Sequence, residues 1–180
     1  RTNENASLYS CITTNNDNLE ASDKLFASLV EKAHKNGIKV ILDGVFNHCG
    51  AFNKWLNREG IYKDEADGAF RNINSKFRNY FIWNNDSDAE NYEAWWGFSN
   101  HPKLNYEGSN ELFNDIMNVA AKWLKPPFNA DGWRIDVGAD LGRSPEYNHY
   151  FWKEFRKNVK AVNKEAFILA EHYGDASPWL

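Results

Sequence analysis

Asp131-Gly-Trp-Arg-Ile-Asp136 decides the reading of this chain, with Phe128-Asn-Ala before it and Val137-Gly-Ala-Asp140 after it. Trp133, Ile135 and Val137 alternate with Arg134 and Asp136, the pattern of a short buried strand that ends in polar residues. Arg134 and Asp136 are two apart, so on a strand they point to the same side. A carboxylate beside a guanidinium stays ionised at neutral pH, because the positive charge favours the anion. Such an anion suits a nucleophile, and it equally suits a structural ion pair at a sheet end.

Working outward, the same kind of strand end recurs on both sides. Ile38-Lys-Val-Ile-Leu-Asp43 is a β-branched strand with Asn47 and His48 beyond it, and Ala166-Phe-Ile-Leu-Ala170 closes on Glu171. Helices are predicted between and before them. The first spans about 23–36, capped by Ser22, with Leu25, Phe26, Leu29, Val30 and Ala33 on one face and Gly37 as the stop. The second spans about 110–124, capped by Ser109 and ended by Pro126 and Pro127; the third spans about 146–163. Residues 1–21 are polar, without periodicity, and read as loop. Residues 44–108 are rich in Asn, Asp, Gly and aromatics, and such a long run reads better as an inserted subdomain with short strands than as one loop. The order is therefore α, β, insertion, α, β, α, β. From Asp136 to Glu171 is 171 − 136 = 35 residues, about one β-α repeat. In a closed (β/α)8 barrel all strand C-termini surround one site; in an open doubly wound sheet they share an edge.

Composition narrows the function classes. The 180 residues are 42% hydrophobic and 26% charged, as in a soluble globular domain. Net charge is 21 − 25 = −4, which argues against a nucleic-acid surface. No stretch approaches the ~20 apolar residues of a membrane span. No G-x-G-x-x-G or G-K-[ST] loop follows a strand, so nucleotide binding has no support. Eight Trp and eight Tyr fit a site that stacks on flat ligands such as sugars, although they also fill cores. Cys11 and Cys49 have no framework spacing, so a disulfide-built secreted domain is not expected and a cytoplasmic location is slightly favoured without being fixed. Cys49 reads as a small buried filler.

Two carboxylates at neighbouring strand ends suit chemistry on an acetal. One must be ionised to attack; the other must keep its proton to protonate the leaving oxygen. Arg134 favours the anion of Asp136, whereas Glu171 follows Phe167-Ile-Leu-Ala170, where burial is expected to raise its pKa. A glycosidase and a metal-dependent hydrolase using Asp43, His48, Asp136 and Glu171 both remain open on spacing alone.

At this point the sequence resembles the family 13 glycoside hydrolases, the α-amylase family. Asp43-Gly-Val-Phe-Asn-His48 is similar to its D-x-x-x-N-H block, Gly132-Trp-Arg-Ile-Asp136 to G-x-R-x-D, and Glu171 to the third conserved acid. Trp95-Trp-Gly-Phe98, His101-Pro-Lys-Leu-Asn105 and Glu171-His-Tyr-Gly-Asp-Ala-Ser-Pro-Trp-Leu180 resemble stretches of the neopullulanase, cyclomaltodextrinase and maltogenic amylase group. The resemblance covers about Leu25 to Leu180. It implies an α/β fold that is part of a (β/α)8 TIM barrel, its third to fifth strands. It also implies a barrel segment over 1–48, an inserted domain B over 49–108 and a second barrel segment over 109–180. It implies a retaining hydrolase of α-glucosidic bonds in starch-derived oligosaccharides, cyclodextrin or pullulan. Asp136 would be the nucleophile, Glu171 the general acid and base, and Arg134 the group that orients Asp136. His48, Trp95, Trp96, Asn105, Asp140 and Tyr173 would line the substrate site.

The expected partner is an α-glucan oligosaccharide, with no nucleic acid and no membrane; a homo-oligomer stays open. No cofactor or metal is expected, although Asp131 and Asn47 could help hold calcium as nearby positions do in some members. The alternative is a non-catalytic carbohydrate-binding barrel of the same family. Departures exist as well. The family's F-x-x-N-H-D block would lie beyond Leu180, the G-T signal is absent near Cys11, and Asp140 stands where the group has Glu and many amylases have His. The chain reads as the middle of a larger enzyme. On its own it is expected to turn over little and to associate through open strand edges. The carboxyls of Asp136 and Glu171 are expected near the ~5–5.5 Å of retaining enzymes.

Overall fold

The computed structural model describes residues 14–63, 67–85 and 87–177. Three helices and three strands alternate: α1 (Asn16–Lys35), β1 (Ile41–Val45), α2 (Asn110–Lys122), β2 (Gly132–Asp136), α3 (Pro145–Val162) and β3 (Phe167–Ala170). The strands form one parallel sheet in the order β1-β2-β3. Parallel neighbours joined by a helix are β-α repeats, as the periodicity predicts.

Two boundaries differ from expectation. Helix α1 starts at Asn16, capped by Asn15, whose Oδ1 accepts the Asn18 N–H at 3.1 Å, instead of being capped by Ser22. Its first turns are solvent-exposed, so no apolar stripe marks them in the sequence. The part of the expected N-terminal loop before residue 14, with Cys11, lies outside the described residues. Strand β1 begins at Ile41 and runs on to Val45, so Asp43 sits inside the strand and not at its end. The cap of α2 is as predicted, Ser109 accepting from Leu112 N–H; α3 is capped by Ser144, which the sequence reading did not single out and which accepts from Tyr147 N–H, with Pro145 opening the helix.

Register sorts the side chains into rows across the sheet. Ile41 aligns with Gly132 and Phe167, Asp43 with Arg134 and Leu169, and Val45 with Asp136. One step past Ala170, the same register brings Glu171 beside Asp136. These residues share one face, because parallel partners point the same way. Gly132 is required there: a Cβ would collide with the Phe167 carbonyl. The opposite face carries Leu42, Trp133, Ile135 and Ile168 against the helices. Trp133 meets Phe46 at 5.4 Å between ring centroids, and Phe46 meets Phe155 of α3 at 5.2 Å. Phe151, Phe155 and Val159 of α3 and Leu112 and Ala120 of α2 are fully buried in this core.

The insertion between β1 and α2 has no strand of any length among its described residues. Single antiparallel bridges hold it instead, joining His48 to Lys103, Phe81 to Leu104, Trp83 to Tyr92 and Ala94 to Pro102. Leu56, Tyr80, Phe81, Tyr92 and Leu104 pack within it and are continuous with the core below. No helix among the described residues is long and apolar enough to cross a membrane.

Candidate active site

The C-terminal ends of the strands converge on one guanidinium. Arg134 Nη1 lies 2.7 Å from Asp43 Oδ1 and 2.6 Å from Asp136 Oδ1, and its Nη2 lies 2.9 Å from Glu171 Oε2. These are the short distances of charge-assisted bonds. The two carboxylates raise the pKa of Arg134, Asp43 first and Asp136 second. Asp136 and Glu171 are thus held by different nitrogens of one planar group.

Glu171 differs from expectation. Its carboxyl is held below the ordinary glutamate value, not above it. The Tyr173 hydroxyl donates to Oε1 at 2.6 Å, the Val137 N–H donates to Oε2 at 3.2 Å, and Asp136 and Arg134 add to these. Burial opposes them and loses. The apolar run before Glu171 predicts burial, but β3 presents Phe167 and Leu169 on an exposed face, and desolvation is outweighed by the hydrogen bonds.

His48 and the two tryptophans form a stack above the acids. The His48 ring lies over Trp95 at 5.0 Å and 11°, and Trp95 over Trp96 at 4.9 Å and 23°. Burial lowers the His48 pKa, the neighbouring His101 lowers it further, and Asp136 opposes both. A neutral imidazole can donate from one nitrogen and accept on the other, which suits a sugar hydroxyl. Trp95 Nε1 donates to Asp140 Oδ2 at 3.0 Å, tying the insertion to the turn after β2. Trp96 is 76% exposed and presents a free ring face. Trp95, Trp96, Asp136, Asp140, Glu171 and Tyr173 line one cleft of about 440 Å³.

Asn105 stands apart from these groups. Its Oδ1 accepts from Gly108 N–H at 3.1 Å and its Nδ2 reaches the Phe81 carbonyl at 3.5 Å, so it shapes the turn that leads into α2. Asp131 and Asn47 cannot ligate one ion. Asp131 precedes β2 and Asn47 follows β1, so they sit at opposite ends of the sheet, roughly 20 Å apart at ~3.3 Å per residue. Burial pushes the Cys49 thiol up to about 12, which agrees with an inert filler. The sequence reading missed two participants. His101 stands edge-on to His48, 5.0 Å away, and its place at the head of the His101-Pro-Lys-Leu-Asn105 stretch was the available signal. The Val137 N–H, next in line on the β3 side of β2, donates to Glu171 Oε2, and nothing in its side chain announces that.

The α-amylase catalytic-domain family model matches residues 20–180. The chain belongs to the α-amylase family. An amylopullulanase of Thermoanaerobacterium thermosulfurigenes is 35% identical over 175 residues, which cover 89% of this chain and 9% of that protein. Neopullulanase 2 of Thermoactinomyces vulgaris is 35% identical over 160 residues, 86% of this chain and 24% of that protein. A solved cyclomaltodextrinase superposes with a TM-score of 0.66 at 30% identity, over 86% of this chain and 24% of its own. The chain therefore spans 9–24% of the length of these relatives. Its parallel strands are part of the family's (β/α)8 barrel, and Asp136, Glu171 and His48 lie at or just past the C-terminal strand ends, where barrel enzymes place their sites, with Arg134 and Asp43 one layer below.

Proposed function

We propose that the complete protein carrying this chain is a retaining α-glucan hydrolase acting on starch-derived oligosaccharides, cyclodextrin or pullulan. One observation carries this reading: Asp136 and Glu171, on adjacent parallel strands, meet across a single guanidinium. Inverting enzymes hold their carboxyls ~6.5–9.5 Å apart to seat a water between them, whereas here a single guanidinium bridges the two acids.

In this mechanism Asp136 attacks the anomeric carbon while Glu171 protonates the departing glycosidic oxygen. The bond to the leaving sugar breaks as the ester to Asp136 forms. Glu171, now an anion, then takes a proton from water, which displaces Asp136 with a second inversion. The free site holds Glu171 as an anion, as the second half-reaction needs. For the first half, a sugar entering the cleft displaces the Tyr173 hydroxyl and excludes water, both of which favour the protonated form. Arg134 keeps its charge throughout and fixes both acids. His48, Trp95 and Trp96 support the sugar, with Trp96 as the stacking platform.

The metallohydrolase alternative needs Asp43, His48, Asp136 and Glu171 to converge on one point. Arg134 stands among the three acids, and no three His, Cys, Asp or Glu side chains are grouped for an ion among the described residues.

The test is hydrolysis of maltotriose, cyclodextrin and pullulan by the complete protein, with the anomer of the first product read by NMR. An α-configured product is expected. A β-configured product, or labelling by an activated fluorosugar at a residue other than Asp136, rejects the reading.

A further inference from the structure

Trp95 is the middle ring of the stack beside the acids. His48 lies on it at 5.0 Å and 11°, and Trp96 at 4.9 Å and 23°. Aromatic rings tolerate a range of offsets, with centroids from ~4.5 to 7 Å apart, so stacking alone leaves a ring free to slide in its plane. A hydrogen bond in that plane removes the freedom. The indole N–H lies in the ring plane, and Trp95 Nε1 donates to Asp140 Oδ2 at 3.0 Å. Asp140 offers a fixed point, because it closes the short turn Gly138–Asp140, which left-handed Val137 opens with φ 50 and ψ 38. The Asp140 N–H donates to the Val137 carbonyl at 3.1 Å. Buried Asn148 donates to the Gly138 and Leu141 carbonyls before and after Asp140, both at 2.8 Å. Asp136 ends β2 only four residues earlier in the chain.

We infer that Asp140 is a positioning residue for His48 and Trp96, acting through the Trp95 indole. The insertion brings the three rings, the turn after β2 brings the acceptor, and the bond between them sets the rings against Asp136. Each link is a direct contact: carboxylate to indole, indole to imidazole, indole to indole. Trp95 commits its ring to its two neighbours and its one polar hydrogen to Asp140, so it serves as a spacer and not as a sugar platform. Asp140 then acts on the indole and not on the sugar. Without the bond Trp95 slides, and the imidazole and the exposed Trp96 ring lose their alignment with the acids. The inference rests on the proposed binding of an α-glucan in this cleft.

The test uses the complete protein, assayed on maltotriose. Asp140→Ala should lower kcat/KM roughly 3- to 10-fold, mainly through KM, because the nucleophile and the acid are untouched. Asp140→Asn should recover most of that loss, since its amide oxygen still accepts the indole N–H. Trp95→Phe keeps a ring but loses the donor, and in that background Asp140→Ala should cost nothing further. In NMR spectra of protein with isotope-labelled tryptophan and histidine, the Trp96 and His48 ring resonances, each assigned by its loss in a single substitution, should shift in Asp140→Ala and return in Asp140→Asn. A further loss from Asp140→Ala in the Trp95→Phe background, or an Asp140→Asn as impaired as Asp140→Ala, means that the carboxylate acts on the sugar directly and overturns the inference. Trp96 and His48 resonances that stay in place in Asp140→Ala overturn it too. Where Trp95→Phe does not fold, the two Asp140 variants decide alone. Wild-type protein that releases no sugar rejects the glycosidase reading, while the resonances still decide whether Asp140 positions the two rings.

Discussion

At the C-terminal end of the sheet one guanidinium serves three carboxylates; at the N-terminal end one carboxylate serves several donors. Asp131 Oδ2 accepts from His34 Nε2 and from Val40 N–H, both at 2.7 Å, and its Oδ1 lies 3.0 Å from Lys39. Ion pairing at that end is satisfied, and it ties α1 and the start of β1 to β2. At the other end Asp43, Asp136 and Glu171 outnumber Arg134, and the surplus negative charge faces an open cleft. The same side-chain types thus give a clasp at one end and a reactive cluster at the other. What separates them is the ratio of acid to cation and the access of a ligand. In barrels, residues at the strand N-termini serve stability and those at the C-termini serve chemistry.

Paired aspartate-to-asparagine substitutions in the complete protein can break this contrast. Asp136→Asn should lower kcat/KM by more than ~10³-fold, beyond the ~10²–10³ of losing one preorganised electrostatic partner, because the nucleophile itself is removed. Asp131→Asn should leave kcat within about twofold and lower stability instead. Equal activity losses in the two variants would erase the distinction between the ends. Arg134→Lys comes next in size. It keeps the charge but loses the fork that reaches three acids, so a drop of ~10²-fold is expected in the same assay.

Stability answers from the N-terminal end. Asp131→Asn should cost about 1–3 kcal/mol in urea denaturation, the penalty of weakening a part-buried acceptor. Burial raises the Asp131 pKa, but hydrogen bonds from Val40, His34 and Lys39 outweigh it and leave the value lowered. A carboxylate with a depressed folded pKa contributes stability that is full above its unfolded value, ~3.9, and is lost as pH falls through the folded value. The wild-type protein should therefore lose more stability below about pH 4 than Asp131→Asn does. Parallel acid-unfolding curves for the two would remove Asp131 from the account.

The sequence made one end far more legible than the other. Arg134 and Asp136 are neighbours on a strand, so period-two alternation alone places them together. The αβ order and the Ser109 cap were readable because each rests on local pattern. The Asp131 clasp was not, since its partners His34, Lys39 and Val40 come from α1 and the start of β1, more than 90 residues away in sequence. The lowered pKa of Glu171 was misread for a related reason. Apolar neighbours in sequence imply burial only if something covers that face of the strand, and here the face of Phe167 and Leu169 is open. The left-handed Val137 lay beyond reach altogether, because valine is among the residues least expected there.

The smallest effect tests how finely the acid cluster is tuned. Tyr173 is almost fully exposed, yet its hydroxyl bond is the largest contribution lowering the Glu171 pKa. Tyr173→Phe removes that donor and nothing else, so the Glu171 anion is less favoured and its pKa rises. As a general acid Glu171 must be protonated, and kcat/KM falls as pH rises through its free-enzyme pKa. The alkaline limb of the kcat/KM profile should therefore move to higher pH in Tyr173→Phe. The maximal rate should stay within about threefold, since one solvent-exposed hydrogen bond is worth little on its own. The Asp131 clasp has no hydroxyl to remove and no limb to move, so the same profile measured on Asp131→Asn should overlay the wild type. A Tyr173→Phe profile that also overlays the wild type would mean that water replaces the phenol at Glu171 without loss. Arg134, Asp136 and the Val137 amide would then set the Glu171 pKa by themselves.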